Sequence, residues 1–258
     1  RANYRQTCVN LRDEILQPEW HTNNQALRLC GVSLTGLALR PDLTEADFLD
    51  LQEAATEGAD GMAMELKLPW PARVTTGKPS GTLSKVMDTS EGFHTPLGRY
   101  IFNWISFGQH DPIKQKLIDA GYTHKPHPND PNGMLICLPV DFGAEPVIET
   151  AVQQLERYKM YMRYWCHHNM SCTIYYEPNE IESIKVWLTD EDNWKHYVGV
   201  SFLPRNPTAT YSYYPQVKVS EEEYSAYIRN LKPVSFGDTA SLSDDNSPDC
   251  AAGACPVK

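Results

Sequence analysis

The chain closes on two cysteines, in the stretch Cys250-Ala251-Ala252-Gly253-Ala254-Cys255-Pro256-Val257-Lys258. A disulfide needs its Cα atoms within roughly 4.4–6.8 Å. The small spacer can fold back that far because Gly253 tolerates positive φ and nothing between the cysteines is bulky. Cys250 and Cys255 therefore read as a dithiol that can open and close. The residues before them, 233–249, are rich in Ser, Asp, Gly and Pro and poor in large apolar side chains, which predicts a solvated tether. A coil of that length spans on the order of 23 Å, and about 56–61 Å if drawn straight. The competing readings are a stabilising disulfide, a metal clip and two idle thiols. A bridge closing so short a loop in a solvated tail stabilises little else, and the Asp-rich flank supplies no evident further ligands.

A second group with chemical potential is Gly77-Lys78-Pro79-Ser80-Gly81-Thr82, which follows the short β-branched run Arg73-Val74-Thr75-Thr76. The predicted order is strand, loop, helix. That order suits phosphate: Gly81 lets backbone N–H groups approach, two hydroxyls donate, and a helix N-terminus adds partial positive charge. Lys78 and Lys85 add local cations. Pro-Ser-Gly-Thr is also ordinary turn chemistry, and the Gly-x4-Gly-Lys spacing of a P-loop is missing. Two further groups read as structural. Cys166-His167-His168 with Cys172 holds metal-ligand types, but at the end of a predicted helix and inside a predicted strand, so a packed junction is expected. Tyr211, Tyr213 and Tyr214 are expected to pack.

The elements that must carry these groups alternate between helix-like and strand-like patterns, which predicts an α/β fold. A buried strand or strand end is expected where Gly31 and Gly36 bracket an alternating apolar run. Thr44 and Asp47 predict the start of a helix over 45–66, with Phe48, Leu51, Ala55, Met62 and Leu66 on its inner face and Pro69 and Pro71 beyond its end. Strands are expected over 99–107, 134–140, 171–176 and 197–203, and shorter helices over 111–120, 179–188 and 220–231. The longest helical pattern runs from Pro146 to about His168.

At 258 residues the chain can bury a sizeable core. A formal net charge of −10 argues against a nucleic-acid or membrane-surface binder, and no apolar run approaches a membrane span. Seven cysteines, an odd number, do not form a secreted disulfide framework. Reduced thiols and a cytoplasmic location are expected, with Cys8, Cys30, Cys137 and Cys172 acting as small buried hydrophobes. The first residue is Arg1, so the expectation is a processed chain or a piece of a longer one.

Four segments in order carry a family resemblance: Gly31-Val32-Ser33-Leu34-Thr35-Gly36, Lys78-Pro79-Ser80-Gly81-Thr82, Asn169-Met170-Ser171-Cys172-Thr173, and the terminal Cys-Ala-Ala-Gly-Ala-Cys-Pro. Shorter echoes are Gly92-Phe93-His94, Asp111-Pro112 with Gly121-Tyr122, and Ser201-Phe202-Leu203-Pro204. Together they resemble the C-terminal part of an adenosylcobalamin-dependent (class II) ribonucleotide reductase. The resemblance implies that residues 1–232 form the second half of a ten-stranded α/β barrel and that 233–258 are a flexible redox tail. It implies that Pro79, Ser80, Gly81 and Thr82 hold the phosphates of a ribonucleotide being reduced to its 2′-deoxy form. Cys250 and Cys255 would re-reduce the active site and then be reduced by thioredoxin or a glutaredoxin-like donor. Adenosylcobalamin is the implied cofactor. The family's radical cysteine lies in an Asn-Pro-Cys-x-Glu loop, and that string is absent here. A partner N-terminal half carrying it is therefore expected, and the chain alone should not catalyse reduction. Rival readings are a large-subunit fragment of the class I enzyme, with Tyr213-Tyr214 as its radical path, and a free-standing thiol-disulfide carrier. The glycyl-radical signature of class III is missing.

Overall fold

The structure is a computed structural model and describes residues 1–11, 16–87, 89–205 and 214–235. In chain order its elements are α1 (Ala2–Gln6), α2 (Pro18–Leu27), α3 (Glu45–Leu66), α4 (Gly81–Val86), β1 (Tyr100–Phe107), α5 (Pro112–Asp119), β2 (His124–Pro126) and β3 (Met134–Asp141). There follow α6 (Ala151–Tyr164), β4 (Ser171–Tyr176), α7 (Ile181–Thr189), α8 (Glu191–Trp194), β5 (Gly199–Pro204), β6 (Gln216–Lys218) and α9 (Glu221–Arg229). The fold is mixed α/β. Among the described residues no helix is long and apolar enough to cross a membrane.

Two compact units emerge: Arg1–Pro96 with the described part of Ala144–Thr210, and Leu97–Gly143 with the described part of Tyr211–Lys258. The first unit is organised on parallel extended chain. β4 and β5 pair in parallel from Ser171↔Gly199 to Tyr176↔Pro204. Parallel bridges at Gly77↔Met170 and Val32↔Thr75 extend the array by two more segments. The expected strand between Gly31 and Gly36 is thus a single bridge. Gly36 has φ +80°, and a 3-10 turn follows over Leu37–Leu39.

Helices α3 and α6 cover this array. The start of α3 follows the sequence reading: the Thr44 hydroxyl accepts from the Asp47 N–H, and Asp47 reaches back to the Thr44 N–H. The helix ends at Lys67, which turns left-handed at φ 54°, before either proline is reached. Phe48 and Met62 are buried as expected, but Leu51 is 39% exposed and does not belong to the inner face.

The helix expected over 146–168 is shorter at both ends. Its N-terminus is set by a capping box of Thr150 and Gln153, which leaves Pro146 outside and Ile148 76% exposed. Its C-terminus unwinds because the His167 and His168 N–H groups both donate to Thr75 O, at 3.1 and 3.0 Å, instead of continuing the helix. The buried stripe Ala151, Leu155, Tyr158 and Tyr161, with Trp165 just beyond, forms the main core. Tyr161 meets Phe48 and Phe93 edge-on, with ring centroids 4.6 and 5.2 Å apart.

The second unit is an antiparallel sheet of order β2-β3-β1-β6. Strands β1 and β3 pair along their full length, from Tyr100↔Asp141 to Phe107↔Met134. Asp111 caps α5, and Gly121, at φ +95°, turns the chain out of it. Helix α9 packs Tyr224 on Tyr100 and Tyr227 on Phe102, while the Tyr227 hydroxyl donates to Cys137 O at 2.9 Å.

Gln154 on α6 is buried and replaces a strand neighbour for β4. Its Nε2 donates to Tyr175 O at 2.8 Å and its Oε1 accepts from the Tyr175 N–H at 3.0 Å. Gln154→Leu keeps the volume but strands the Tyr175 N–H and leaves Tyr175 O with only a long bond from Arg205 Nη2, at 3.5 Å. It should lower unfolding stability by about 2–5 kcal/mol, read as a reduced urea midpoint. An unchanged midpoint would show that water replaces the amide freely.

Candidate functional site

The loop that follows Gly77 leaves the C-terminal end of an extended segment in a parallel array, where open α/β sheets place their ligands. The neighbouring segment holds it through two hydroxyls. The Lys78 N–H donates to Ser33 Oγ at 2.9 Å, and Thr35 Oγ1 donates to Ser80 Oγ at 3.3 Å. Ser80 is the N-cap of α4, yet its backbone is left-handed, at φ 57° and ψ 33°, and its side chain makes no capping bond. A conventional serine cap is extended and satisfies an amide of the first turn. Here the hydroxyl is engaged with Thr35 instead. The N–H groups of Gly81, Thr82 and Leu83 have no partner within the helix. Gly81 is exposed, with nothing within 4 Å of the place a Cβ would occupy.

Thr82 lies in the first turn of α4; its side chain is outside the described set. Pro79 is exposed and Ser80 half-buried. Of the two cations expected nearby, Lys78 lies along Gly31, whose Cβ would be 3.6 Å from its Nζ. Lys85 is held by Glu91 at 2.9 Å in a mostly buried ion pair.

Two contributions escaped the sequence reading. Ser33 and Thr35 stand in the sequence as motif residues only, and their hydroxyls fix the loop. After α4 the sequence offers only the short motif Gly92-Phe93-His94. It lies directly against the loop: a Cβ on Gly92 would sit 2.3 Å from Lys78 O. Burial holds His94 below the ordinary histidine range, opposed by Glu91 and reinforced by Arg157.

The other groups singled out in sequence do not converge on this loop. His168 Nε2 lies 2.8 Å from Cys30 O, while Cys166 and Cys172 are packed in the core region. Among the described residues no group of three His, Cys, Asp or Glu side chains is placed to hold a metal. Cys8 is exposed, contrary to its expected burial, whereas Cys30, Cys137 and Cys172 are buried. Tyr214 is described; Tyr211 and Tyr213 lie outside the described residues, as do Cys250 and Cys255.

The loop thus forms a strand-to-helix junction in an α/β fold, with the first helical amides unpaired within the helix. A solved class II, B12-dependent ribonucleotide reductase shares the fold, with a TM-score of 0.66 and 18% identity over 85% of this chain and 35% of that one. Two curated adenosylcobalamin-dependent ribonucleoside-triphosphate reductases are related in sequence. The one from Euglena gracilis is 27% identical over 247 residues, covering 90% of this chain, and the one from Lactobacillus gasseri is 24% identical over 267 residues, covering 96%. The chain spans 33% and 35% of those two proteins, and 26% of other relatives. No protein-family model matches it. Its homologues are therefore adenosylcobalamin-dependent reductases, to which the chain corresponds over part of their length.

Burial pushes the thiols of Cys166 and Cys172 up to about 12 and that of Cys137 up to about 11. At pH 8 a thiol at 12 is ionised in roughly one molecule in ten thousand. Iodoacetamide at pH 8, followed by peptide mapping of the native chain, should modify Cys8 and spare these three. Rapid labelling of Cys172 would mean that β4 opens readily.

Proposed function

We propose that this chain supplies the substrate-phosphate site and the reducing dithiol of a class II ribonucleoside-triphosphate reductase. The observation that carries the reading is the left-handed, uncapped Ser80 turn, in a chain whose homologues reduce ribonucleoside triphosphates. Three amides that lack helical partners are a ready anion site, and the hydroxyls of Ser80 and Thr82 add donors beside Pro79 and Gly81. Phosphate oxygens would replace the missing cap. The parallel array supports placing residues 1–232 in the second half of the barrel, with 233–258 as the redox tail.

Removing the 2′-hydroxyl as water takes two electrons, which an active-site dithiol gives up as it becomes a disulfide. Cys250 and Cys255 would then attack that disulfide as thiolate and thiol, ending oxidised themselves, and an external thioredoxin-like dithiol would reduce them. A tether keeps this exchange intramolecular, at roughly millimolar effective concentration. The radical cysteine would come from sequence outside this chain.

The relatives are named for adenosylcobalamin. Among the described residues the apolar cavity lined by Leu11, Trp20, Asn24, Leu27 and Leu29, about 320 Å³, is too small to enclose a corrin. The cofactor is accordingly assigned to a surface completed by the rest of the enzyme.

Ser80→Ala with Thr82→Ala should raise the KM for a ribonucleoside triphosphate about 10- to 100-fold in the assembled enzyme, the loss of one or two charged hydrogen bonds. An unchanged KM would remove the phosphate assignment. Cys250→Ser or Cys255→Ser should abolish thioredoxin-driven turnover and spare turnover with dithiothreitol; equal loss with both reductants would refute the shuttle. Copurification should recover an Asn-Pro-Cys-x-Glu segment, on this polypeptide or a partner. Its absence, with no activity restored by adenosylcobalamin, would sink the reading as a whole.

A further inference from the structure

Successive odd-numbered amides of β4 point to the edge opposite β5, and each finds a different acceptor. The Ser171 N–H donates to Gly77 O at 3.0 Å, within the parallel array. The Tyr175 N–H donates to Gln154 at 3.0 Å. Between them the neighbouring segment has already departed into the Lys78–Gly81 loop, so no backbone carbonyl is left for Thr173. There the acceptor is His94 Nε2, 2.9 Å from the Thr173 nitrogen. An imidazole nitrogen that accepts from an amide carries no proton, so His94 is neutral with its proton on Nδ1. Nδ1 is buried without a hydrogen-bond partner. A buried unpaired donor is unfavourable by about 1–3 kcal/mol, so the acceptor at Nε2 is the function this ring serves.

His94 also lies within a stretch that has neither helix nor strand, in which each residue from Thr89 to Thr95 is tied down. The Thr89 N–H donates to Ser84 O at 3.0 Å, Ser90 O accepts from Gly36 at 3.0 Å, and Gly92 O accepts from Leu37 at 3.1 Å. Glu91 holds Lys85. Phe93 O and Thr95 Oγ1 accept from the two arms of Arg157, at 2.9 and 3.1 Å. At Gly92 this strap crosses the loop so closely that only glycine fits. The strap therefore touches both the Ser33–Gly36 turn and the Lys78–Ser84 turn, and the imidazole fastens it to the strand edge that the loop vacated.

The geometry points to His94 as a positioning residue for the phosphate loop: its Nε2 replaces a missing ladder carbonyl and thereby clamps the 89–95 strap over Lys78 and Ser80. This rests on the phosphate assignment above. The groups facing His94 are Glu91 on the strap and Arg157 on α6. Protonation would abolish the acceptor, so the clamp holds at neutral pH and is lost as the pH falls through the lowered His94 value.

The test uses the full chain, with inorganic tripolyphosphate as probe and amide hydrogen exchange as an independent readout. His94→Ala should weaken tripolyphosphate binding about tenfold or more, a loss of about 1.4 kcal/mol or more. It should also speed exchange at Leu37, Lys78, Ser84 and Thr173, while the interior amides of α6 in the same unit stay protected as a control for folding. His94→Gln places an amide oxygen near the Nε2 position and should restore both readouts. It should also flatten the acid loss of binding. Gly92→Ala should weaken binding with His94 intact, by pushing the strap off the loop. Unchanged exchange at Lys78 and Ser84 in His94→Ala, or a glutamine variant no better than alanine, would overturn the role of His94. Wild-type chain that fails to bind tripolyphosphate, while His94→Ala still loosens the loop, would overturn the phosphate assignment and uphold the clamp.

Discussion

The first unit depends on how the polar groups of Thr75 and Thr76 are satisfied in the middle of its core. Both residues are buried. Thr75 O accepts two amides from the end of α6, and its hydroxyl donates to Trp165 O while accepting from the His167 N–H. Thr76 Oγ1 donates to Asn169 O at 2.8 Å, and Thr76 O accepts from the Trp165 indole at 2.8 Å. On the opposite edge the Thr76 N–H donates to Val32 O at 2.9 Å. Buried polar groups left unpaired cost more than most single contacts contribute. Two threonines thereby join three stretches of chain that are distant in sequence, and they also dictate where α6 must stop.

Function follows because the loop begins two residues further on. Gly77 is forced by its neighbour: a Cβ there would lie 2.4 Å from Met170 Cγ, so β4 can approach this segment only if the side chain is absent. With the segment pinned on both edges up to Gly77, the chain after it has few places to go. Ser33 and Thr35 receive it on one side and the 89–95 strap lies on the other. A left-handed serine is uncommon and carries strain on its own. In this frame its role is intelligible, since it turns the hydroxyl away from the helix and leaves the first amides of α4 without a cap.

Much of this was legible in sequence where the signal is local. Thr44 with Asp47 and Asp111 with Gly121 each mark a helix end that the structure reproduces, and the helix expected from residue 220 starts there, after Ser220. Local signals failed where distant chain decides. The apolar run through Trp165 reads as helix to His168, but Thr75 captures the amides of His167 and His168 and ends it early. The run between Gly31 and Gly36 reads as a strand, yet its turn is fixed by Gly36, against which Thr89 is packed so closely that a Cβ would meet Thr89 Oγ1 at 2.4 Å. The loop proposed to hold phosphate was legible as composition only. Its left-handed serine, the two hydroxyls that hold it and the histidine at the strand edge depend on pairings between segments about 45 to 80 residues apart, which no local pattern encodes.

The cysteines fit the proposed chemistry through what most of the described ones cannot do. Thiol–disulfide exchange requires a thiolate with access to its target. Burial raises Cys30, Cys137, Cys166 and Cys172 alike, the last two up to about 12, so at physiological pH these thiols are almost wholly protonated. In a protein that passes electron pairs between dithiols, any other reactive thiol near the path would form off-path mixed disulfides. Packing these four thiols into cores and against backbone therefore does two things at once. It fills space with a small apolar side chain, and it leaves exchange to cysteines that can reach solvent and ionise. On that argument the selectivity proposed for Cys250 and Cys255 would rest less on their own activation than on the burial of these four thiols.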